Sequence, residues 1–219
     1  KGLDVRLIYG REDRSRENRN FRRTVTYYSG PTANTASQLN NPNNYSITNY
    51  NWLKENVQAL IDYKFTLSEK HNFHVLGGYQ WDYYRYKYVS ASSKNLYVND
   101  NPSLNFTSDP LNKSNSQYAE ESKQQAFFGR LAYNFNEKYL FEATIRSDES
   151  SRLTPGNRVT VFPSFSAGWN IGKEEWFAGL AETIDDLKLR GSWGKVGLQK
   201  GIGYYDHMAL LGTGTNLLL

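Results

Sequence analysis

The feature that most constrains this chain is a two-residue alternation of apolar and polar side chains, which recurs along its 219 residues. Between residues 53 and 67, Val57, Ile61 and Phe65 fall in one phase, while Asp62 and Lys64 fall in the other. Because successive side chains of a β-strand point to opposite faces, this pattern predicts a strand with one apolar and one polar face. Similar segments begin near residues 3, 21, 73, 127, 139, 159 and 187. The sequence therefore predicts an all-β, antiparallel fold of about eight strands.

The connections between these segments alternate in length. Residues 68–72 and 136–138 are tight polar turns, whereas residues 30–50, 91–121 and 148–158 are long and rich in Asn, Ser, Pro and Thr. Outer-membrane barrels have short periplasmic turns and long extracellular loops. The pattern thus favours a segment of a transmembrane β-barrel with long extracellular loops. One longer connection, residues 172–186, contains Lys-Glu-Glu-Trp-Phe at 173–177, for which we predict a helical turn at the membrane edge.

The composition agrees with a barrel wall. Aromatic residues make up 15% of the chain, yet the mean hydropathy is −0.72. A barrel wall produces this combination because only alternate residues face lipid. Composition alone leaves open a soluble β-domain of the cell envelope that binds glycans. No stretch approaches the ~18 consecutive apolar residues that a transmembrane helix needs.

Cysteine and histidine, which serve many catalytic and metal sites, are scarce, although carboxylates are plentiful. The chain has no cysteine and three histidines, of which His71 and His74 straddle a predicted turn and His207 is isolated. We therefore expect no metal site, no cofactor and no enzymatic activity. The basic run at residues 11–23 is interrupted by acidic residues and matches no recognition motif, so we interpret it as a solvated turn joining two strands and expect no nucleic-acid partner.

An ordered series of motifs carries a family resemblance. The series comprises Gly-Arg-Leu-Ala-Tyr-Asn-Phe at 129–135, Lys-Tyr-Leu-Phe-Glu-Ala-Thr-Ile-Arg at 138–146, Asp-Glu-Ser-Ser-Arg at 148–152, Phe-Pro-Ser-Phe-Ser-Ala-Gly-Trp at 162–169 and Leu-Lys-Leu-Arg-Gly-Ser-Trp-Gly at 187–194. It resembles the barrel of SusC/RagA-type TonB-dependent outer-membrane transporters. Glu149 departs from the family, which usually has glycine there, and residues 1–125 match only in style. We interpret residues 1–219 as a partial barrel domain, with the plug domain and signal sequence outside this chain.

The resemblance implies a function and a set of partners. It implies import of glycans or peptides across the outer membrane of a Bacteroidota bacterium, with a SusD-like surface lipoprotein as lid. TonB, ExbB and ExbD would supply energy through the plug. A TonB-dependent receptor for a siderophore or vitamin, on the same barrel, is the alternative.

The alternation also assigns candidate site residues. Five charged residues fall in the phase opposite to the apolar one, where we expect them to face the lumen and the plug: Arg130, Glu142, Arg146, Lys188 and Arg190. Tyr84, Tyr86 and Tyr88 lie in the phase opposite to Trp81, so they are candidates for contact with cargo. A place in the aromatic girdle at the membrane interface is the other interpretation of these three tyrosines.

Overall fold

The protein is built almost entirely from β-strands in a computed structural model that describes residues 2–32, 35–180, 184 and 186–209. The strands are β1 (Gly2–Arg22), β2 (Val25–Tyr28), β3 (Ala36–Leu39), β4 (Asn44–Leu67), β5 (His71–Lys94), β6 (Lys113–Phe135), β7 (Tyr139–Ser150), β8 (Val159–Asn170) and β9 (Lys188–Gly194). Short 3₁₀ turns occupy Pro110–Asn112, Ile171–Lys173 and Glu175–Leu180. Among the described residues, no helix has the length and apolar character needed to cross a membrane.

Seven of the strands form one sheet, in the order β1-β4-β5-β6-β7-β8-β9. The prediction of an all-β antiparallel fold is confirmed. Strands β1, β4, β5 and β6 are 21 to 24 residues long, about twice the ~9–11 residues that span a bilayer. The segment predicted near residue 21 is β2, which pairs with β3 in a separate two-stranded sheet.

The basic run at residues 11–23 was predicted wrongly as a turn, because β1 continues through it to Arg22. Its mixed charges form cross-strand pairs with β4. Glu12 accepts from Lys54 at 3.1 Å, and Arg11 lies 3.4 Å from Glu55. Opposite charges on neighbouring strands favour their pairing, so the mixed charges at these positions are compatible with a strand.

Two predicted loops are shorter than expected. The 30–50 segment contains β3 and the first residues of β4, while β5 and β6 extend to Lys94 and from Lys113 into the 91–121 segment. Buried Asn43, just before β4, is hydrogen-bonded to Leu96, just after β5. Its side-chain oxygen accepts from the Leu96 N–H at 2.6 Å, and its side-chain amide donates to the Leu96 carbonyl at 3.2 Å. These hydrogen bonds act beside the burial of Tyr45 and Leu96, which are 7% and 6% exposed.

The short turns lie along one edge of the sheet. Ser68 and Glu69 have φ of 48° and 60°, and Asn136 and Glu137 have φ of 50° and 56°, the left-handed conformation that suits two-residue hairpin turns. Both predicted turns are confirmed. The Asn136 N–H donates to the Lys70 carbonyl at 2.8 Å, and the Asn170 N–H donates to the Lys138 carbonyl at 2.7 Å.

The predicted helical turn in the 172–186 connection is observed as Glu175–Leu180. Glu174, which precedes it, accepts hydrogen bonds from Trp169 Nε1 at 3.0 Å, the Tyr139 hydroxyl at 2.8 Å and Lys138 Nζ at 3.1 Å. Phe177 is 2% exposed. The connection is thereby fixed to the short-turn edge of the sheet.

The chain divides into two compact units. Unit 1 comprises residues 1–11, 55–83 and 122–219, and unit 2 comprises residues 12–54 and 84–121. Strands β1, β4 and β5 each contribute residues to both units, and β6 does so as well.

Unit 1 has two chemically distinct sheet faces, which the register of β6 to β9 defines. The apolar face carries large apolar residues that fall on the same side of the sheet in this register and are 46% to 62% exposed: Phe127, Leu131, Phe141, Ile145, Phe165 and Trp193. The polar face carries the alternate positions, among them Arg130, Glu142, Arg146 and Ser166. The observed faces follow the phases predicted from the sequence.

Candidate functional site

The polar face of unit 1 brings three of the predicted charged residues together. Arg130 Nη2 lies 2.5 Å from Glu142 Oε2 on the neighbouring strand. Arg146 Nε lies 2.7 Å from Asp148 Oδ1, and its guanidinium carbon lies 5.4 Å from the centre of the Phe128 ring. The positive charges on this part of the wall are therefore largely compensated by neighbouring carboxylates.

The other two predicted residues of this group lie on β9. Lys188 Nζ is 3.2 Å from Asp186 Oδ2, and Arg190 pairs in register with Gly168 of β8. Lys188, Arg190 and Glu142 line a cavity of about 810 Å³ within unit 1. The three side chains thus border a common space, although Arg130 and Arg146 do not line it.

One buried donor on this face has no partner. Arg130 Nε is shielded from solvent but makes no hydrogen bond to any residue that the structure describes. An unsatisfied buried N–H is energetically costly.

The tyrosines predicted for cargo contact belong to unit 2. Tyr86 and Tyr88 lie with centroids 6.2 Å apart, and Tyr50 lies 6.5 Å and 5.9 Å from them respectively. Trp52 stacks on Tyr86 at 5.4 Å, and Tyr118 stacks on Tyr88 at 5.9 Å. These five rings, Tyr50, Trp52, Tyr86, Tyr88 and Tyr118, form what we call the aromatic cluster.

Charged groups border the aromatic cluster. The Arg14 guanidinium carbon lies 5.1 Å from the centre of the Trp52 ring, within the range of a cation–π interaction. The Tyr118 hydroxyl donates to Glu120 at 2.7 Å, and the Tyr118 side chain is exposed. The cluster therefore combines apolar ring surface with phenol hydroxyls and one charge of each sign.

Sequence reasoning named Tyr86 and Tyr88 as candidates but did not name Tyr50, Trp52 and Tyr118, whose rings contact theirs. The third predicted tyrosine, Tyr84, is half-buried in the same phase of β5. A signal for two of the missed rings was present. Counting outwards from the turn at Ser68–Lys70 sets Trp52 opposite Tyr86 and Tyr50 opposite Tyr88 in the β4–β5 hairpin.

Potential metal ligands are dispersed within the described ranges. No group of three or more His, Cys, Asp or Glu side chains is placed there to hold an ion. His74 is engaged with Asp62 at 2.7 Å, and His71 Nδ1 is 2.8 Å from the Tyr133 hydroxyl. Both histidines therefore make side-chain contacts within the sheet of unit 1.

Comparison with protein families gives one match that covers most of the chain. The model for "TonB dependent receptor-like, beta-barrel" matches residues 2–205. This match bears out the predicted family resemblance and the interpretation of the sheet as part of a barrel.

Curated relatives come from two bacteria. TonB-dependent receptor P26 of Formosa agariphila is 32% identical over 158 residues, which cover 71% of this chain and 16% of that protein. TonB-dependent receptor SusC of Bacteroides thetaiotaomicron is 43% identical over 91 residues, which cover 42% of this chain and 9% of that protein. The chain therefore spans only a small part of the length of these relatives.

Solved structures share the fold. A structure of the RagAB peptide importer in the closed-closed state matches with a TM-score of 0.81 and 24% identity, over 96% of this chain and 22% of that one. A second structure of the RagAB peptide transporter matches with a TM-score of 0.80. At this identity the likeness concerns the fold of the barrel segment.

Proposed function

Because this chain belongs to the TonB-dependent receptor-like β-barrel family, we propose that it forms part of the wall of a TonB-dependent importer in a bacterial outer membrane. The family is one of transporters rather than enzymes. In this role the apolar face of unit 1 meets lipid and the polar face lines the lumen. An exposed, continuous apolar face supports the assignment, since soluble proteins rarely leave such a surface uncovered.

The cargo that we propose is an oligosaccharide or a peptide. The observation that carries this choice is the aromatic cluster, whose members on β4 and β5 are in phase with the polar positions Asn56 and Asp82. Rings with polar tips stack on sugar faces or on peptide side chains and also donate hydrogen bonds. Tyr84 precedes the cluster in the same phase, and we include it as a contact residue.

Two sets of partners follow from the same proposal. A SusD-like lipoprotein would deliver cargo from outside, as resemblance to SusC suggests, and TonB, ExbB and ExbD would act through a plug domain. We assign the polar face of unit 1 to the plug, with contacts from Arg130, Glu142, Arg146, Lys188 and Arg190. The partial exposure of the Arg130, Glu142 and Lys188 side chains supports this, because their charged groups stay accessible to a further polar surface.

The decisive experiment measures cargo uptake by the complete transporter carrying Trp52→Ala or Tyr86→Ala. Each lost ring contact is worth about 0.5–1.5 kcal/mol, so apparent affinity should fall roughly two- to tenfold. The matched control is Trp81→Ala. Trp81 stacks on Tyr83 at 6.0 Å in the opposite phase of β5, and its removal should leave affinity unchanged.

Three results would refute the proposal. Equal effects of Trp52→Ala and Trp81→Ala would show that the cluster makes no selective contact with cargo. Uptake that persists in cells lacking TonB would exclude TonB as the energy source of import. Uptake of a metal chelate or vitamin by a transporter that purifies without a lipoprotein would replace the cargo with that of the alternative receptor class.

A further inference from the structure

A row of side-chain contacts crosses the aromatic cluster within unit 2. The Arg14 guanidinium of β1 lies 5.1 Å from the centre of the Trp52 ring of β4, and Trp52 stacks on Tyr86 of β5 at 5.4 Å. The Tyr86 ring lies 6.2 Å from the ring of Tyr118 of β6, centre to centre. The Tyr118 hydroxyl then donates to Glu120. The row therefore has a cation at one end, aromatic rings in the middle and a carboxylate at the other end.

The cationic end of the row is accessible to a ligand. Arg14 is exposed and forms no ion pair with a carboxylate in the part of the chain that the structure describes. Stacking on Trp52 engages the flat face of the guanidinium, which leaves the N–H groups at its edge able to donate to a carboxylate. The neighbouring acidic residue in the same phase, Glu12, is engaged with Lys54 at 3.1 Å. Arg14 thus adds a positive charge that Glu12 does not offset.

The carboxylate at the other end also has capacity for a further group. Glu120 is half-buried and accepts the Tyr118 hydroxyl at 2.7 Å. Among the described residues it has no ion pair with a lysine or an arginine. A carboxylate offers about four lone-pair positions, so one hydroxyl leaves room for an ammonium group.

The separation of the two charges suits a short extended chain. Arg14 and Glu120 lie on the first and last of four adjacent strands, β1, β4, β5 and β6. Because neighbouring strands are ~4.8 Å apart, the two ends of the row are roughly 14 Å apart. An extended peptide of about four residues covers that distance.

A peptide matches the charges of the row better than a sugar does. A neutral oligosaccharide would leave both charges unpaired, and an acidic oligosaccharide would pair with Arg14 alone. A peptide with free termini carries one carboxylate and one ammonium group, which is one partner for each end. Its side chains would lie on the rings between the two charges.

We propose that Arg14 and Glu120 determine the cargo specificity of the aromatic cluster and select short peptides with free termini. The peptide lies across the strands with its carboxylate at Arg14 and its ammonium group at Glu120. The inference rests on the proposed function, because it takes the aromatic cluster as a cargo site. It narrows the cargo from an oligosaccharide or a peptide to a peptide that carries opposite charges at its two ends.

The test measures uptake of a radiolabelled peptide of about four apolar residues by the complete transporter. The peptide is prepared with both termini free, with the amine acetylated, or with the carboxylate amidated. The free form should show an apparent affinity about three- to tenfold higher than either blocked form, as expected for one charge-assisted contact at a partly exposed site.

Three variants assign each preference to a residue. Arg14→Gln should remove the preference for the free carboxylate and keep that for the free amine, and Glu120→Gln should do the reverse. Arg16→Gln is the matched control and should keep both preferences. Arg16 is exposed in the same phase of β1 and contacts no ring in the described ranges.

Two results would overturn the inference through the peptides themselves. One is equal affinity of the unmodified transporter for the free and blocked forms. The other is an equal loss for all three forms in Arg14→Gln, which would show that Arg14 supports the wall instead of selecting cargo. Uptake of a neutral oligosaccharide and of none of the peptides would also overturn it, while leaving the proposed function intact. Uptake of neither cargo by the unmodified transporter would refute the proposed function itself, and the inference with it.

Discussion

The apolar and polar faces of unit 1 share one backbone ladder and yet follow opposite rules. On the apolar face, Phe165 stacks on Trp193 at 6.1 Å while both side chains stay more than half exposed. On the polar face, Arg130 and Glu142 form an ion pair between neighbouring strands. Because adjacent residues such as Phe165 and Ser166 point to opposite sides, one strand can satisfy lipid on one face and a filled lumen on the other. Under the proposed function, the difference between the faces reflects two solvents, lipid and the lumen, rather than a core and a surface.

Near the short turns, the apolar face ends at aromatic rings whose polar atoms are hydrogen-bonded. Tyr139 and Trp169 are register partners on the apolar face, and both hydrogen-bond to Glu174. Rings of this kind suit the level where lipid gives way to water. The short-turn edge is therefore where we place the end of the apolar face.

The largest effect should come from placing a charge on the apolar face. Phe165→Arg should destabilise the folded transporter by about 2–4 kcal/mol if it lies at the bilayer middle, because lipid does not solvate the guanidinium. Ser166→Arg, next along the strand and paired with Glu142, should cost much less. Folded abundance in the outer membrane, read by heat-modifiable migration on gels, measures both. Equal losses for the two variants would break the two-solvent account.

A smaller effect should follow from removing one ring of the stacked pair. Trp193→Ala forfeits the contact with Phe165, worth about 0.5–1.5 kcal/mol, while lipid refills the space. A double-mutant cycle with Phe165→Ala, in urea titrations from lipid vesicles, isolates that contact. A coupling energy well above this range would mean that the face packs against protein instead of lipid.

The ion pair on the polar face should contribute less again. The Arg130 and Glu142 side chains are 41% and 37% exposed, so their coupling should be about 0–1 kcal/mol and should shrink with added salt. A cycle through Arg130→Gln and Glu142→Gln measures it. A coupling that salt leaves unchanged would indicate that this part of the polar face is shielded from water.

The smallest effect should be the acid sensitivity of the hydrogen bonds to Glu174, at the short-turn edge. Hydrogen bonds from Trp169, Tyr139 and Lys138 hold the pKa of Glu174 below its ordinary value of 4.5. A lowered pKa means that the stabilisation is present above pH 4.5 and is lost as the pH falls through the lowered pKa. Trp169 fluorescence, taken as the difference from a Trp169→Phe variant, should therefore change only in acid. Glu174→Gln should abolish that transition, and an identical transition in both proteins would exclude Glu174 as its source.

Sequence alone sufficed wherever the determining interactions are local. Alternation assigned Arg130, Glu142 and Arg146 to one face because side-chain direction in a strand depends only on residue parity. The turns at 68–72 and 136–138 were predictable because polar hairpin residues specify them within a few positions. The same parity put Tyr86 and Tyr88 on the polar phase of β5. The face on which a strand residue lies could therefore be predicted from the order of residues.

The tertiary structure decided what depends on partners distant in the chain. The sequence of residues 11–23 by itself predicts a turn. Only the ion pairs with Lys54 and Glu55 on β4 show why the strand continues there. Tyr118 joins Tyr88 across 30 positions, and Gln199 meets Gln124 across 75. Residues 195–208 carry no periodic pattern, so nothing in their sequence indicates that the backbone at Gly197 lies against Phe162 of the polar face. Local chemistry thus determined the wall and its two faces, whereas the path of the chain over that wall rests on contacts that only folding brings together.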